Sequence, residues 1–555
     1  MDTYPRPQLV RDSFFSLDGR WSLFLSDENG QVSDYTITVP FSPETEAAEL
    51  EKDGLKTPGF TLKPHCFMRY RREVAFPEPV DFSKEKLLLH FGAVDYRALV
   101  YIDGVLVKEH VGGYLPFSVE VEKSSFLLEV SVQDPTDTQN IIRGKQVLSS
   151  GGIWYPGQSG IWQSVWMEKV PKNYIQSLET TPSLNGFELC VKTEVTCKLI
   201  IEIENKEIKT ESNESLFIEI QNPHLWSPED PYLYLFSVKT ETDSVSSYTA
   251  LRTFCVKDGD LYLNNKKYFC HGLLDQGYWK EGLYTPLSTA QMKEDILFAK
   301  RLGFNTLRKH IKVEPLIWYY LCDTLGMLVW QDMVSGGGKY KAFPHSAPLF
   351  IGSFLSDTKA KSQSRLGSED KEYQERFISE AVQTIRHLKN CPSIVLWSVF
   401  NEGWGQFDSS KVAKQLIQED SSRPMDYTSG WHDQGDGPFK SVHVYFKKYR
   451  YRKDKYGRCV ILSEFGGYGL NLNKAEKKPF TYRKLKSKED LTEAIVKLYK
   501  SQILPAKQKG LSACIYTQIS DVLQETNGLI TFDRKTVKVN ETEIKKISDS
   551  LKAFD

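Results

Sequence analysis

The sequence predicts a multidomain protein: an N-terminal jelly-roll β-sandwich, an immunoglobulin-like β-sandwich and a C-terminal (β/α)8 TIM barrel. Three observations predict it. With 555 residues the chain is longer than one ordinary core encloses. Up to about Val256 the apolar residues fall in short alternating runs separated by turns, the pattern of many short strands. Past that point strand-like runs alternate with helical ones, the pattern of βα units around a parallel sheet.

Residues 1–170 hold runs such as 21–25, 68–74, 86–91, 98–104 and 126–132, whose number and spacing fit a jelly roll. Asp103-Gly104 has the composition of a hairpin turn. Residues 171–256 repeat the style on a smaller scale, with runs at 199–203, 216–220 and 233–238, as an immunoglobulin-like sandwich requires. There, Pro223-His224-Leu225-Trp226-Ser227-Pro228 reads as a packed turn: the prolines fix the loop and the tryptophan covers the core edge.

Residues 257–555 carry eight candidate strands: 268–274, 306–311, 327–331, 393–400, 424–429, 441–446, 459–463 and 512–518. Helical stretches such as 287–302 and 372–388 lie between them. In the first, Met292, Ile296, Phe298, Ala299 and Leu302 recur at helical spacing. Eight such units in about 300 residues make a TIM barrel. The insert 336–370, rich in Gly, Ser and Lys, reads as a loop on the active-site face, of the kind that closes over substrate.

The bulk composition excludes several classes. A formal net charge of −1 provides no global attraction to nucleic acid or to an anionic membrane. Nine cysteines, an odd number without a C-x-x-C pair, fit neither a disulfide framework nor a zinc site, and point to a reducing compartment. The first residues, MDTYPRPQLVRDSFFSLDGRW, lack the apolar core of a signal peptide, and the apolar runs are short of a membrane span. The expectation is a cytoplasmic, soluble protein.

The chemistry concentrates at two strand ends. In 393–405, SIVLWSVFNEGWG, an apolar run without a polar face ends in Asn401-Glu402, and in 459–467, CVILSEFGG, a second ends in Glu464. Such runs read as strands buried on both sides. In a TIM barrel the C-terminal strand ends form the active-site face. A lone Asn-Glu could equally cap the next helix. Two strand-end carboxylates facing one cavity are the equipment of a glycosidase. No G-x-S-x-G elbow supports a serine hydrolase.

These residues resemble glycoside hydrolase family 2, which holds β-galactosidases, β-glucuronidases and β-mannosidases. Phe15-Ser16-Leu17-Asp18-Gly19-Arg20-Trp21 and Ser159-Gly160-Ile161-Trp162-Gln163-Ser164-Val165 are similar to the family's sugar-binding domain. Gly303-Phe304-Asn305-Thr306-Leu307-Arg308-Lys309-His310, followed by Cys322-Asp323-Thr324-Leu325-Gly326, is similar to its signature after strand two. Trp397-Ser398-Val399-Phe400-Asn401-Glu402 resembles the acid/base segment and Ser463-Glu464-Phe465-Gly466 the nucleophile segment. The resemblance implies retaining hydrolysis of a terminal β-linked sugar, with Glu464 as nucleophile and Glu402 as acid/base. It implies that Asn401 bonds the sugar 2-hydroxyl, and that copies associate through their β domains.

The negative charge of Glu464 should raise the pKa of its neighbour Glu402. Arg308 is expected under the nucleophile. Tyr445 either orients Glu464, as the resemblance implies, or is an ordinary barrel-mouth aromatic. His310 either lines the sugar subsite or is a satisfied wall residue. Trp330, Asp332, Trp404, Trp431 and His443 are further pocket candidates, since aromatic faces stack on sugars and carboxylates bind hydroxyls.

Where the resemblance puts a tryptophan at strand eight, this chain has Tyr516. The Glu-x-His metal pair of β-galactosidases after strand three is replaced by Trp330-Gln331-Asp332-Met333-Val334-Ser335. Their aspartate before the Ser-Gly-Ile turn is missing from Gly152-Ile153-Trp154-Tyr155-Pro156-Gly157-Gln158. The Asn-x-Lys of β-glucuronidases has no match in ITFDRKTVK, 530–538. No catalytic metal and no cofactor are expected. The leading expectation is a β-galactosidase-like exo-glycosidase acting on a glycoside or oligosaccharide. The alternatives are a β-glucuronide, β-galacturonide or α-L-arabinoside as substrate, and a non-catalytic carbohydrate-binding protein. Lys309, Lys339 and Lys341 favour an acidic sugar if they point inward.

Overall fold

A computed structural model describes residues 4–26, 29–341, 345–348, 355–473 and 478–552. In the N-terminal sandwich an eight-stranded antiparallel sheet faces a four-stranded one. Alternating residues of both sheets, among them Trp21, Tyr70, Leu89, Phe91 and Val130, make its core. Asp103-Gly104 forms the expected turn between Arg97–Ile102 and Val105–Val111. Both turn residues have positive φ, 49° and 78°, which matches the right-handed twist of the paired strands.

A second sandwich packs a three-stranded sheet on a four-stranded one around Phe187, Leu189, Ile201, Phe236 and Val238. Trp226 does more than cover this core's edge. Its indole donates to the carbonyl of Asp323 at 2.8 Å, and its ring joins the cluster inside the barrel with Leu328, Leu396, Ile461 and Ile515. The hairpin of Phe254–Lys257 and Asp260–Leu263 contributes to the same cluster, so the barrel's lower end is a packed core.

The eight barrel strands are Cys270–Asp275, Thr306–Lys309, Leu328–Asp332, Ile394–Asn401, Met425–Ser429, Phe439–Val444, Cys459–Gly466 and Leu511–Thr517. They are hydrogen-bonded in parallel around the ring, and the seam falls between strands five and six. There Ser429 and Ser441 hydroxyls meet at 3.3 Å. Every strand matches an expected run to within three residues at each end. Helices Thr289–Arg301 and Lys371–Leu388 bury their expected faces, and Asp370 caps the second by accepting the Glu372 N–H at 2.9 Å. Strands five, six and seven follow one another without a helix among the described residues, because segments 430–438 and 445–458 are taken up by turns.

The insert 336–370 is not wholly loop: Ala360–Leu366 is helical, and residues 342–344 and 349–354 lie outside the described residues. Its first residues dock on the N-terminal sandwich. The Ser335 carbonyl accepts from the N–H groups of Arg143 (3.2 Å) and Gly144 (2.8 Å), and the Gly337 N–H donates to Ile141 at 2.9 Å. Gly336 has to be glycine, since a Cβ would stand 1.9 Å from the Ile141 carbonyl oxygen. No helix among the described residues is long and apolar enough to cross a membrane.

Candidate active site

The fourth strand ends at Asn401, and Glu402 leaves it in the left-handed region, φ 51°, with its N–H bonded to the Ser429 carbonyl at 2.9 Å. This conformation is unfavourable for a residue with a Cβ and is held by the surrounding core. Glu464 lies inside the seventh strand, where the pairing register shifts and His443 stands opposite it. Both glutamates are buried, with 6% and 4% of their surface exposed. Glu402, His443 and Glu464 each place one ligand-type atom within 4.8 Å of the others. The same three groups are a donor set able to hold a divalent cation.

Arg308 organises the floor. Its Nε donates to Asp332 Oδ1 (3.0 Å), Nη1 to Glu464 Oε1 (3.1 Å) and the Ser463 carbonyl (3.1 Å), and Nη2 to Asn401 Oδ1 (2.7 Å). The last bond fixes the Asn401 amide and leaves its buried Nδ2 without a partner among the described residues. Glu464 Oε2 accepts from the Tyr445 hydroxyl, which also meets Thr517 Oγ1 at 3.0 Å. Asp332 joins Arg308 to His310, whose Nδ1 lies 2.8 Å from Oδ2.

His443 links the two glutamates. Nδ1 is 2.8 Å from Glu402 Oε1 and 3.6 Å from Glu464 Oε2. Nε2 faces Ser429 Oγ at 3.1 Å and Arg308 Nη1 at 3.4 Å. Arginine only donates, so the network assigns the proton of the neutral ring to Nδ1, which donates to Glu402. Burial lowers the His443 pKa to about 4, which keeps the ring neutral at pH 7.

Burial raises the Glu402 carboxyl to about 7; Lys145 and Arg308 oppose the shift and Glu525 adds to it. Desolvation is the principal cause, and the mutual repulsion of the two carboxylates appears on the Glu464 side of the pair. Glu464 is also raised, by burial and by Glu402, against the pull of His443, Arg308 and the Tyr445 hydrogen bond. Burial pushes Asp332 up too, but Arg308 and His310 outweigh it and hold the carboxyl below its ordinary value.

The remaining candidates divide. Trp404 is buried edge-on to His310 (centroids 6.2 Å apart) and tilted against Trp154 (5.1 Å). Trp431 lies 6.5 Å from His443. Trp330 is in the interior barrel core, away from the mouth. Tyr516 also faces away from Tyr445: it packs on Phe465 and accepts the Tyr468 N–H at 3.2 Å, and its neighbour Thr517 meets Tyr445 instead. Lys309 is locked between Asp275 and Glu314, both at 2.8 Å, and Lys339 and Lys341 are exposed.

Sequence reasoning missed Lys145, Trp154, Tyr155, Tyr482 and Glu525. Tyr482 stacks on Tyr445 with centroids 3.7 Å apart and planes 8° from parallel. Tyr155 donates to Glu525, 370 positions away. Lys145 lies over Trp404 (5.4 Å) and Tyr155 (5.6 Å), so a segment of the first sandwich walls the barrel mouth. The one available signal was the aromatic pair in Gly152-Ile153-Trp154-Tyr155, directly before the Ser-Gly-Ile turn.

The fourth and seventh strands, which are not neighbours in the ring, thus bring two buried carboxylates together at one barrel mouth, the equipment of a glycosidase. The chain belongs to glycosyl hydrolases family 2: the family's TIM barrel domain matches residues 254–546, and its preceding module, described as glycosyl hydrolases family 2, matches 174–252. A putative β-glucuronidase of Formosa agariphila is 26% identical over 60% of this chain and 39% of that protein. Human β-glucuronidase is 23% identical over 71% of this chain and 64% of its own length. The chain thus spans less than two thirds of either curated relative. Among solved structures, a GH2 β-galacturonidase from Eisenbergiella tayi bound to galacturonate superposes with a TM-score of 0.73 at 18% identity, covering 99% of both chains. A β-D-glucuronidase of Dictyoglomus thermophilum gives 0.74 at 19%, covering 98% of both.

Proposed function

We propose that the protein is a retaining exo-β-glycosidase that releases a terminal β-linked sugar through a covalent glycosyl-enzyme. The observation that carries this reading is the closeness of Glu402 and Glu464, with carboxylate oxygens within 4.8 Å. Retaining enzymes hold their carboxyls about 5–5.5 Å apart, whereas inverting ones leave about 6.5–9.5 Å for a water. In this reading the chain divides into units at about residues 170 and 256.

Glu464 attacks the anomeric carbon while Glu402, protonated up to about pH 7, gives its proton to the glycosidic oxygen. The C–O bond breaks, the aglycone leaves as an alcohol, and an ester joins Glu464 to the sugar. Glu402, now a carboxylate, takes a proton from water; the water oxygen attacks the same carbon and frees Glu464. Two displacements retain the anomeric configuration. Arg308 and Tyr445 hold the Glu464 oxygens in line, and the free Asn401 Nδ2 is available to the 2-hydroxyl.

For the glycone, a β-galactoside is one reading. A uronic acid is the second, favoured by relatives named β-glucuronidase and β-galacturonidase. The test is turnover of nitrophenyl β-galactoside, β-glucoside, β-glucuronide, β-galacturonide, β-mannoside and α-arabinoside, with the first-formed anomer read by NMR. A β anomer released from a β-glycoside, and loss of turnover in Glu464→Gln, are expected. Silence of the folded protein across the panel would favour a carbohydrate-binding role.

A further inference from the structure

We infer that Lys145, carried into the barrel mouth by the N-terminal sandwich, binds a carboxylate of the glycone, so that the natural substrate is a uronic acid glycoside. This rests on the glycosidase reading above and names its substrate class. Lys145 is 6% exposed, more than nine-tenths buried. Among the described residues, no carboxylate lies within the 4 Å of an ion pair from its ammonium, and no acceptor is hydrogen-bonded to it.

The other deeply buried lysines are all tied down. Lys309 sits between Asp275 and Glu314 at 2.8 Å each. Lys312 reaches Glu314 at 3.0 Å and the carbonyls of Gly277 and Tyr284 at 2.6 and 2.8 Å. Lys538 holds Asp521 at 2.6 Å. Lys145, held against two aromatic faces with no carboxylate among the described residues in ion-pair range, keeps its charge available to an anion that enters the mouth.

The position fits that role. Nζ lies over the faces of Trp404, two residues past Glu402, and Tyr155. Of the charges acting on Glu402, that of Lys145 is the largest, and it is also the largest acting on His310. The ammonium therefore faces the space in which a sugar at the glutamates must lie. Its backbone is fixed on both sides: the Lys145 carbonyl accepts the Tyr155 N–H at 3.0 Å, and Arg143 and Gly144 are bonded to Ser335 of the barrel. One ammonium balances one carboxylate; a phosphate dianion would call for further cations.

The test compares kcat/KM for nitrophenyl β-glucuronide with β-glucoside, and β-galacturonide with β-galactoside, in the parent protein, Lys145→Gln and Lys145→Arg. The parent should prefer the uronide. In Lys145→Gln the uronide-to-hexoside ratio should fall on the order of 10- to 100-fold, the loss expected for one charge-assisted hydrogen bond, with partial recovery in Lys145→Arg. A parent that prefers the neutral sugar overturns the proposal. So does an equal loss on both sugars together with an alkaline shift of the pH profile, which would mark Lys145 as acting only through Glu402.

If no glycoside is turned over, the glycosidase reading fails, and calorimetry on Glu464→Gln still tests Lys145. Free glucuronate or galacturonate should bind more tightly than glucose or galactose, and the difference should vanish in Glu464→Gln/Lys145→Gln. Tighter binding of a hexose 6-sulfate or 6-phosphate than of the uronate would overturn the carboxylate assignment.

Discussion

Arg308 holds Asn401 by its carbonyl alone: Nη2 lies 2.7 Å from Oδ1, and the amide's own Nδ2 is buried with no partner among the described residues. The arginine that holds Glu464 thereby also leaves the Asn401 amide with a free donor beside it. A buried donor without an acceptor is uncommon in native structures, and in the proposed reading the sugar 2-hydroxyl is its partner.

Removing that donor should matter only when the sugar carries its 2-hydroxyl. Asn401→Ala is expected to lower kcat/KM by about 100-fold on an ordinary glycoside, because 2-hydroxyl bonds strengthen in the transition state. On the matching 2-deoxy glycoside parent and variant should be within a few-fold. Steady-state kinetics on the two substrates checks this, and equal losses on both would refute it.

The acid/base assignment predicts a dependence on the leaving group. Glu402→Ala should lose about 10²- to 10⁴-fold on a nitrophenyl glycoside, in the range of general acid catalysis. A dinitrophenyl glycoside, whose leaving group needs no proton, should still form the glycosyl-enzyme. Azide should then restore turnover and yield a β-glycosyl azide, detectable by mass spectrometry and NMR.

The raised pKa of Glu402 has a consequence for stability. Its carboxyl titrates at about 7 when folded and at the ordinary 4.5 when unfolded, so the folded state binds the proton more tightly. That contribution is fully present below about pH 4.5 and is lost as the pH rises through about 7. Relative to the parent, Glu402→Gln should therefore be more stable at pH 8 than at pH 5, by up to about 3 kcal/mol. Denaturant melts at the two pH values measure it. The same carboxyl should set the alkaline limb of kcat/KM near pH 7.

Gly336→Ala tests the seam between sandwich and barrel. The added Cβ would meet the Ile141 carbonyl at 1.9 Å, forcing apart the bonds that fix Arg143 and Gly144. A loss of about 1–3 kcal/mol in stability is expected, as for other overpacked sites. KM should rise more than kcat falls, since the glutamates are anchored in the barrel and the displaced wall is not.

The strands, their order and both glutamates were legible because each rests on a local pattern: an apolar run, then a polar residue where it leaves the core. Arg308 and Tyr445 were legible by the same logic of strand ends. Trp330 and Tyr516 were not, because alternation along a strand decides whether a side chain enters the mouth or the core, and a register shift such as that at His443–Glu464 leaves no trace in the sequence. That burial leads the Glu402 shift was not legible either, because the degree of burial is a tertiary quantity. Lys145 and Tyr482 come from irregular segments, and Tyr155 from a two-residue strand, that reach the mouth only after the units pack together.

The wall built by Lys145, Trp154 and Tyr155 has a modular consequence. In the proposed reading, the groups that break and make bonds and the groups that frame the sugar are carried on separate stretches of chain, joined through Ser335 and Gly336. Exchanging residues 141–158 between related chains is then a way to reshape the catalytic chamber while leaving its chemistry untouched. Conversely, a barrel cut free at its amino-terminal border would keep both carboxylates and open one side of that chamber to water.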